Sequence, residues 1–213
     1  MTAGMKPNKP SIIGITGGIA TGKSTASNII KELGYKVIDG DLVARQVVEK
    51  GKPAYEEIVK YFGDQILDQD GNINRKKLGH IVFNDEKERK RLNNLIHPHI
   101  MKKIKQMIDD HKDEQILFLD IPLLIEEKDR LESYSIFFDQ IWLIYVDEKT
   151  QIQRLMKRDG IGREEALKKI RAQMPIELKK EHATKVIDNR KAVEELREQI
   201  RALIEETIRY LEV

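Results

Sequence analysis

A short glycine-rich segment between an apolar run and a helical pattern constrains this chain more than any other feature. It reads GITGGIATGKSTASNII and begins at Gly14. Glycine loses more backbone freedom on folding than any other residue, so a loop of this kind is costly to order. The apolar run SIIGIT leads into it and predicts a strand. The apolar residues that follow it lie at helical spacing: Ala26, Ile29, Ile30 and Leu33. The segment therefore predicts a strand, a tight loop and a helix in immediate succession.

Residues Gly17 to Ser24, here called the glycine loop, match the pattern G-x-x-x-x-G-K-[ST] at every fixed position. Glycines at these places let backbone N–H groups face phosphate oxygens, and the helix N-terminus adds partial positive charge. Lys23 can then reach the β- and γ-phosphates, and the Ser24 hydroxyl can bind Mg²⁺. The pattern predicts binding of a nucleoside triphosphate such as ATP together with Mg²⁺. The predicted nucleotide contacts are Gly17, Gly18, Ile19, Ala20, Thr21, Gly22, Lys23, Ser24 and Thr25.

Four later apolar runs predict further strands: YKVID, QILFLD, QIWLIYVD and KVIDN. The stretch over about 42–112 is mostly helical in pattern, and helical spacing returns from Ala192 onward. A strand, loop, helix and strand in this order form the unit of a parallel sheet covered by helices. We predict an α/β fold of the P-loop NTPase class, with a parallel five-stranded sheet flanked by helices and a helical insertion. We expect one domain over residues 11–213, preceded by a flexible extension of residues 1–10.

Composition narrows the classes of function. The 213 residues carry 38 basic and 36 acidic side chains, a net charge of +2, which argues against a dedicated nucleic-acid binder. The absence of cysteine excludes disulfides and thiolate metal sites and fits a reducing compartment. No apolar run approaches the roughly 18 residues of a membrane span, and the first ten residues do not resemble a signal peptide. We expect a cytoplasmic protein, monomeric or weakly homo-oligomeric, that binds neither nucleic acid nor membrane.

Three aspartates follow predicted strands, at the sheet edge where open α/β folds bind ligands. Asp39 and Asp41 end the second strand, and either could accept a proton from a hydroxyl group or help to hold Mg²⁺. The alternative for Asp41 is an N-cap of the helix that follows. Asp120 closes the strand ILFLD, where an aspartate could hold the metal through water; it could equally be a cap or turn residue.

The glycine loop alone leaves open what happens to the γ-phosphate of the bound nucleotide. It could be transferred to a small molecule, or hydrolysed to drive a switch or a movement.

A basic segment, QIQRLMKRDGIGREEALKKIR, runs from Gln151 to Arg171. Arg154 and Arg158 are four residues apart, so a helix would place them on one face. Phosphoryl transfer depends on positioning and on cations around the migrating group. The segment therefore predicts a lid over about 150–175 with DGIG at its tip. The alternative is an ordinary solvated helical face.

Five segments in this order resemble the dephospho-coenzyme A kinase family: ITGGIATGKST, VIDGDLVARQVV, LNNLIHPHI, DIPLLIE and VIDN. The resemblance covers the chain from about Ile12 to Asn189. The glycine loop is shared by many NTPases, whereas the aspartate-rich second strand followed by A-R-Q, with H-P and P-L-L-x-E, is more specific. The chain departs from the family pattern at Gly40, where alanine or cysteine is common, and at Arg190-Lys191, where a glycine-containing turn is common.

The resemblance implies ATP-dependent phosphorylation of the ribose 3′-hydroxyl of dephospho-CoA, the last step of coenzyme A synthesis. It implies a nucleotide-kinase-like fold with a lid. It also implies that the helical insertion binds this acceptor, with Arg45 and His97 close to it and Asp41 as the general base. Arg154 and its neighbour Arg158 would cover the γ-phosphate, and Asn189 would lie near the adenine. The alternatives are another nucleoside or nucleotide kinase and a regulatory NTPase. No N-K-x-D motif for guanine recognition is present.

Overall fold

The computed structural model describes residues 9–212, apart from the side chain of Asn84. The first eight residues of the predicted extension lie outside this range. The strands are β1 (Ser11–Gly17), β2 (Lys36–Asp39), β3 (Ile116–Asp120), β4 (Gln140–Tyr145) and β5 (Lys185–Asp188). The helices are α1 (Lys23–Glu32), α2 (Gly40–Gln46), α3 (Pro53–Phe62), α4 (Arg75–Asn84), α5 (Glu86–Asp110), α6 (Lys128–Ser133), α7 (Glu148–Asp159), α8 (Arg163–Arg171), α9 (Ile176–Glu181) and α10 (Val193–Leu211).

The chain divides into two compact units. The sheet unit comprises the chain up to Ile38 and from His111 onward, and the helical unit is Asp39–Asp110. The predicted insertion over about 42–112 overlaps the helical unit in sequence. Its treatment as part of a single domain over 11–213 stays a prediction.

The predicted five-stranded parallel sheet is confirmed, with strand order β2-β3-β1-β4-β5. β1 is the central strand: Ile15 is in register with Asp120 of β3, and Gly17 with Ile144 of β4. Because the strands are parallel, their carboxyl ends share one edge of the sheet. The glycine loop therefore leaves the middle of that edge, between the ends of β3 and β4.

The core of the sheet unit is built around two buried aromatic rings. Phe118 contacts Trp142 edge-on at 5.3 Å between ring centroids and Tyr35 at 6.0 Å. Helices α1 and α10 supply apolar side chains to the same cluster, including Ile30 and Ile200. All five residues of β3 are buried, as expected for a strand covered by helices on both faces.

The helical unit has its own core, formed by Ile58 and Phe62 of α3, Ile66 in a short 3₁₀ turn, and Leu78 of α4. Asn74 caps α4 by accepting hydrogen bonds from the backbone N–H groups of the second and third residues that follow it. Within the described range, no helix is both long and apolar enough to cross a membrane.

We predict that Phe118→Ala lowers the free energy of unfolding by about 3–5 kcal/mol, because it leaves a cavity in a packed core. Trp142 is the only tryptophan and is fully buried, so its fluorescence during urea unfolding measures this change directly. Phe137→Ala is the matched control, since Phe137 is 60% exposed and its loss should change the free energy by no more than about 0.5 kcal/mol. Equal losses in the two variants would contradict the assignment of this core.

Candidate active site

The glycine loop closes through a tight turn between Gly18 and Thr21. The Thr21 hydroxyl and backbone N–H both donate to the Gly18 carbonyl oxygen, at 2.9 and 3.2 Å, and Thr21 is buried. Ala20 and Gly22 have positive φ angles of 61° and 89°. A side chain costs roughly 1–2 kcal/mol in this left-handed region, so the loop holds one strained residue at Ala20. The shape of the loop must therefore be supported from outside.

Part of that support comes from Asn189, the residue directly after β5. Its side-chain amide is buried and donates to the Thr21 carbonyl oxygen at 2.8 Å. A Cβ atom at Gly22 would overlap the same amide nitrogen. Arg154 of α7 in turn donates to the Asn189 carbonyl oxygen at 2.8 Å. The structure thus places Asn189 against the backbone of the loop, and its contact with adenine stays a prediction.

Lys23, the first residue of α1, forms an ion pair with Asp120 at the end of β3. The second carboxylate oxygen of Asp120 accepts a hydrogen bond from the Ser27 hydroxyl at 2.6 Å. Asp120 is buried, whereas the Lys23 side chain is partly exposed. The Ser27 hydroxyl orients the Asp120 carboxylate, and the oriented carboxylate in turn holds the ammonium group of Lys23. Sequence analysis missed Ser27, although its place one helical turn after Lys23 could have indicated it.

Ser24 and Thr25 follow on the first turn of α1, with Ser24 exposed and Thr25 half-buried. Across residues 9–212, no group of three or more histidine, cysteine, aspartate or glutamate side chains is arranged to hold a metal ion. Mg²⁺ does not require such a cluster, since it commonly combines one or two protein ligands with water and nucleotide phosphates.

Arg154 and Arg158 both lie on α7, as predicted from their spacing, but their side chains bind different partners. Arg154 is half-buried and lies against the glycine loop through Asn189. Arg158 is exposed and donates to Asp159 at 2.7 Å, which raises the pKa of Arg158 and lowers that of Asp159. Lys169 of α8 also lies 3.5 Å from Asp159. The tip of the segment is thus exposed, while its Arg154 end reaches the loop through Asn189, and both the lid over about 150–175 and the solvated-face alternative stay predictions.

A second cluster lies at the ends of β4 and β5 and was missed by the sequence analysis. The Tyr145 hydroxyl donates to Glu177 at 2.6 Å, and this bond, together with burial, raises the pKa of Tyr145 to about 12. Lys180 and Arg190 lie over the Tyr145 ring, at 4.8 and 5.7 Å from its centroid. Arg190 also binds Asp188 at 2.7 Å and thereby lowers the pKa of that carboxyl. Of this network, Arg190 lies in the stretch in which the sequence departs from the family pattern.

In the helical unit, the N-cap of α2 is Asp39 and not Asp41. The Asp39 carboxylate accepts a hydrogen bond from the Leu42 N–H at 3.0 Å. The capping alternative for Asp41 is therefore wrong, because the helix begins one residue before it, at Gly40. Asp41 is exposed on the first turn, and Arg45 is exposed on the last turn.

Arg45 lines a pocket of about 270 Å³ within the helical unit. Arg75 and Lys50 add two further cations against one anion, Glu49, and apolar walls come from Ile58 and other residues of the core. Ile96 of α5 also lines this pocket, and His97, half-buried, is the next residue along the helix. The unit therefore offers a concave, partly cationic surface, as an anionic ligand with an apolar part would require.

Several known proteins are similar to this chain along most of its length. The family model described as dephospho-CoA kinase matches residues 11–195. A dephospho-CoA kinase from Carboxydothermus hydrogenoformans is 46% identical over 196 residues, 91% of this chain and 93% of that protein. Among solved structures, a protein from Thermus thermophilus is 32% identical, with a TM-score of 0.78 and coverage of 93% of this chain and 98% of its own. A dephospho-CoA kinase from Campylobacter jejuni is 30% identical, with a TM-score of 0.67 and coverage of 92% and 96%. The chain belongs to the dephospho-CoA kinase family.

We predict that Gly22→Ala weakens nucleotide binding at least about tenfold. The added methyl group would displace the Asn189 amide and so change the conformation of a loop that is preorganised for phosphate binding. Isothermal titration with ADP measures the change. Gly34→Ala is the matched control: Gly34 has a similar φ of 93°, but no atom lies within 4 Å of its Cβ position. That variant should lose about 1–2 kcal/mol of stability from backbone strain and keep its affinity. Equal affinities in the two variants would contradict the proposed packing of Asn189.

Proposed function

We propose that this chain transfers the γ-phosphoryl group of ATP to the ribose 3′-hydroxyl of dephospho-CoA and so produces coenzyme A and ADP. The match to the family over residues 11–195 carries this proposal, because it spans both the glycine loop and the helical unit. The geometry of the loop supports the nucleotide part of the reaction. A cytoplasmic location and a monomeric or weakly oligomeric state stay predictions from the sequence.

The glycine loop and Lys23 bind the phosphates of ATP in this proposal. The loop offers backbone N–H groups and a helix N-terminus to the phosphates. Lys23 is held by Asp120 in the structure, and a triphosphate competes for the same ammonium group. Arg154 lies behind the loop and adds positive charge near the migrating phosphoryl group. Arg158 is the less direct candidate, because Asp159 engages its guanidinium.

Ser24 and Asp120 would hold Mg²⁺, with Asp120 acting through water. The exposed Ser24 hydroxyl on the first turn of α1 and the buried carboxylate at the end of β3 fit this ion, since both are hard oxygen ligands. Bound Mg²⁺ neutralises negative charge on the phosphates. Ser27 keeps the Asp120 carboxylate oriented through its 2.6 Å hydrogen bond.

The helical unit binds the acceptor in this proposal. Asp41 accepts the proton of the 3′-hydroxyl, and its exposure on the first turn of α2 leaves the carboxylate accessible to a substrate. Arg45 and His97 contact the acceptor, whose pyrophosphate is anionic. The pocket that Arg45 lines within this unit supports such a contact.

An assay of ADP release with Mg-ATP, with and without dephospho-CoA, tests the proposal. Nucleosides and nucleoside monophosphates serve as competing acceptors. We expect ADP release to require dephospho-CoA. Release that is equally fast without any acceptor would indicate an NTPase, and release specific to a nucleoside would indicate a different kinase.

We predict that Asp41→Asn lowers kcat by about 10²–10⁴-fold with ATP affinity retained, the usual contribution of a general base. Asp39→Asn is the matched control, since it removes the same charge two residues earlier and asparagine is also a good N-cap. Steady-state kinetics at saturating substrates compare the two. If the loss appears in Asp39→Asn instead, the role of the base belongs to that residue.

We predict that Lys23→Ala weakens both ADP binding and turnover, because it removes a preorganised charge from the phosphates. It also leaves the buried Asp120 without its cationic partner, so the melting temperature should fall. Lys31→Ala, at an exposed position of the same helix, serves as the control. Near-normal turnover in Lys23→Ala would contradict the assignment of the glycine loop.

A further inference from the structure

Two glutamine side chains hold the backbone of Ile19, at the tip of the glycine loop. The Ile19 N–H donates to Oε1 of Gln173 at 2.8 Å. The Ile19 carbonyl oxygen accepts a hydrogen bond from Nε2 of Gln151, also at 2.8 Å. Both polar groups of one residue of the loop are therefore bound by side chains from distant parts of the sequence.

The two glutamines lie at opposite ends of the α7–α8 segment. Gln151 is on the first turn of α7, and Gln173 is the second residue after α8. The backbone N–H of Gln173 donates to the Ile170 carbonyl oxygen, which fixes the turn that follows α8. Residues at both ends of the α7–α8 segment therefore bind the backbone at the tip of the glycine loop.

Packing reinforces the two hydrogen bonds. Ile19 and Ala20 pack against a buried apolar cluster contributed by α7 and α8, whose members are Ile152, Leu155, Ala166 and Ile170. A Cβ atom at Gly18 would lie 2.5 Å from Nε2 of Gln151, so a larger residue at Gly18 would push this amide aside. The strained residue Ala20, with a φ angle of 61°, directly follows Ile19.

Among the residues that the structure describes, the side-chain amide of Gln151 has a hydrogen-bond partner on one side only. The side chain is 2% exposed, and its Oε1 atom is buried without a hydrogen-bond partner among residues 9–212. An apolar side chain of similar size would remove the unpaired Oε1 atom, but it would also leave the Ile19 carbonyl oxygen without this donor. The residue keeps an amide at a place where only its N–H group is used, on the Ile19 carbonyl.

We infer that Gln151 and Gln173 are positioning residues that preset the glycine loop for phosphate binding through the two hydrogen bonds to Ile19. The N–H of Ile19 is directed to Gln173 and its carbonyl oxygen to Gln151, so these two hydrogen bonds, here called the glutamine clamp, fix the orientation of the loop backbone at Ile19. A loop without the clamp occupies its binding conformation for a smaller fraction of time, and its apparent affinity falls by that fraction. The inference rests on the proposed role of the loop in nucleotide binding.

The roles of the two glutamines differ in chemistry, and this difference provides the test. Position 173 must supply an acceptor, which a glutamate carboxylate also provides. Position 151 must supply a donor, which an ionised glutamate cannot provide. Methionine has a similar volume and removes both functions. The variants are Gln173→Met, Gln173→Glu, Gln151→Met and Gln151→Glu, with Gln153→Met at an exposed position of α7 as the matched control.

Isothermal titration with ADP, differential scanning calorimetry and kinetics on each folded variant provide the readouts. The loss of one ordinary hydrogen bond predicts an ADP affinity about 2–12-fold weaker in both methionine variants and in Gln151→Glu. Gln173→Glu should bind ADP more tightly than Gln173→Met, with measurements repeated at high salt to screen the added charge. KM for ATP should rise in parallel with the loss of affinity, and KM for dephospho-CoA and the control variant should not change.

Wild-type affinity for ADP in both methionine variants would overturn the inference, as would full function of Gln151→Glu at a pH high enough to ionise the introduced carboxyl, since burial at this position favours its protonated, hydrogen-bond-donating form. A lower melting temperature with unchanged affinity would show that the glutamines are merely structural and would equally overturn it. The proposed function fails by a separate result, in which the wild-type protein binds ADP but does not phosphorylate dephospho-CoA. ADP binding needs no acceptor, so the two failures are distinguishable.

Discussion

The reversal of the backbone between β1 and α1 depends on side chains that neighbouring elements bring to the same edge of the sheet. Gly22 has no room for a Cβ atom because Asn189, at the end of β5, fills that space. Asp120, at the end of β3, holds Lys23 on the other side. The strand order β2-β3-β1-β4-β5 makes this possible, because it places β1 between β3 and β4, with β5 next to β4. The loop is therefore shaped by the sheet as much as by its own glycines.

The buried carboxylate of Asp120 links this architecture to the chemistry. A charge buried without partners is strongly unfavourable, which is why both of its oxygens are satisfied, by Lys23 and Ser27. A phosphate group arriving at the loop competes for Lys23 and leaves Asp120 available to Mg²⁺ in the proposed reaction. The Ser27 hydroxyl keeps the carboxylate in place throughout. Catalysis of phosphoryl transfer is largely positioning and charge neutralisation, and this arrangement prepares both in advance.

Local patterns in the sequence predicted the strands, the glycine loop and the helix behind it, because apolar spacing and glycine placement act over a few residues. Partners distant in sequence could not be predicted in this way. Asn189 reaches the loop across 168 residues, and Gln151 across 132. The pairing of Arg158 with Asp159 and the cap at Asp39 are local, but the sequence analysis predicted neither: it placed Arg158 on a shared face with Arg154 and weighed a cap at Asp41. Family resemblance supplied the acceptor, which no local pattern in the helical unit could have specified.

Phosphorus NMR of the reaction product tests the central claim most directly, because it reports both that the phosphoryl group moved and where it went. Incubation with Mg-ATP and dephospho-CoA should give one new phosphomonoester signal, coupled to the ribose 3′ proton, in equal amount to the ADP formed. A phosphomonoester at another hydroxyl would contradict the proposed acceptor position. ADP with inorganic phosphate and unchanged dephospho-CoA would contradict the assignment as a kinase.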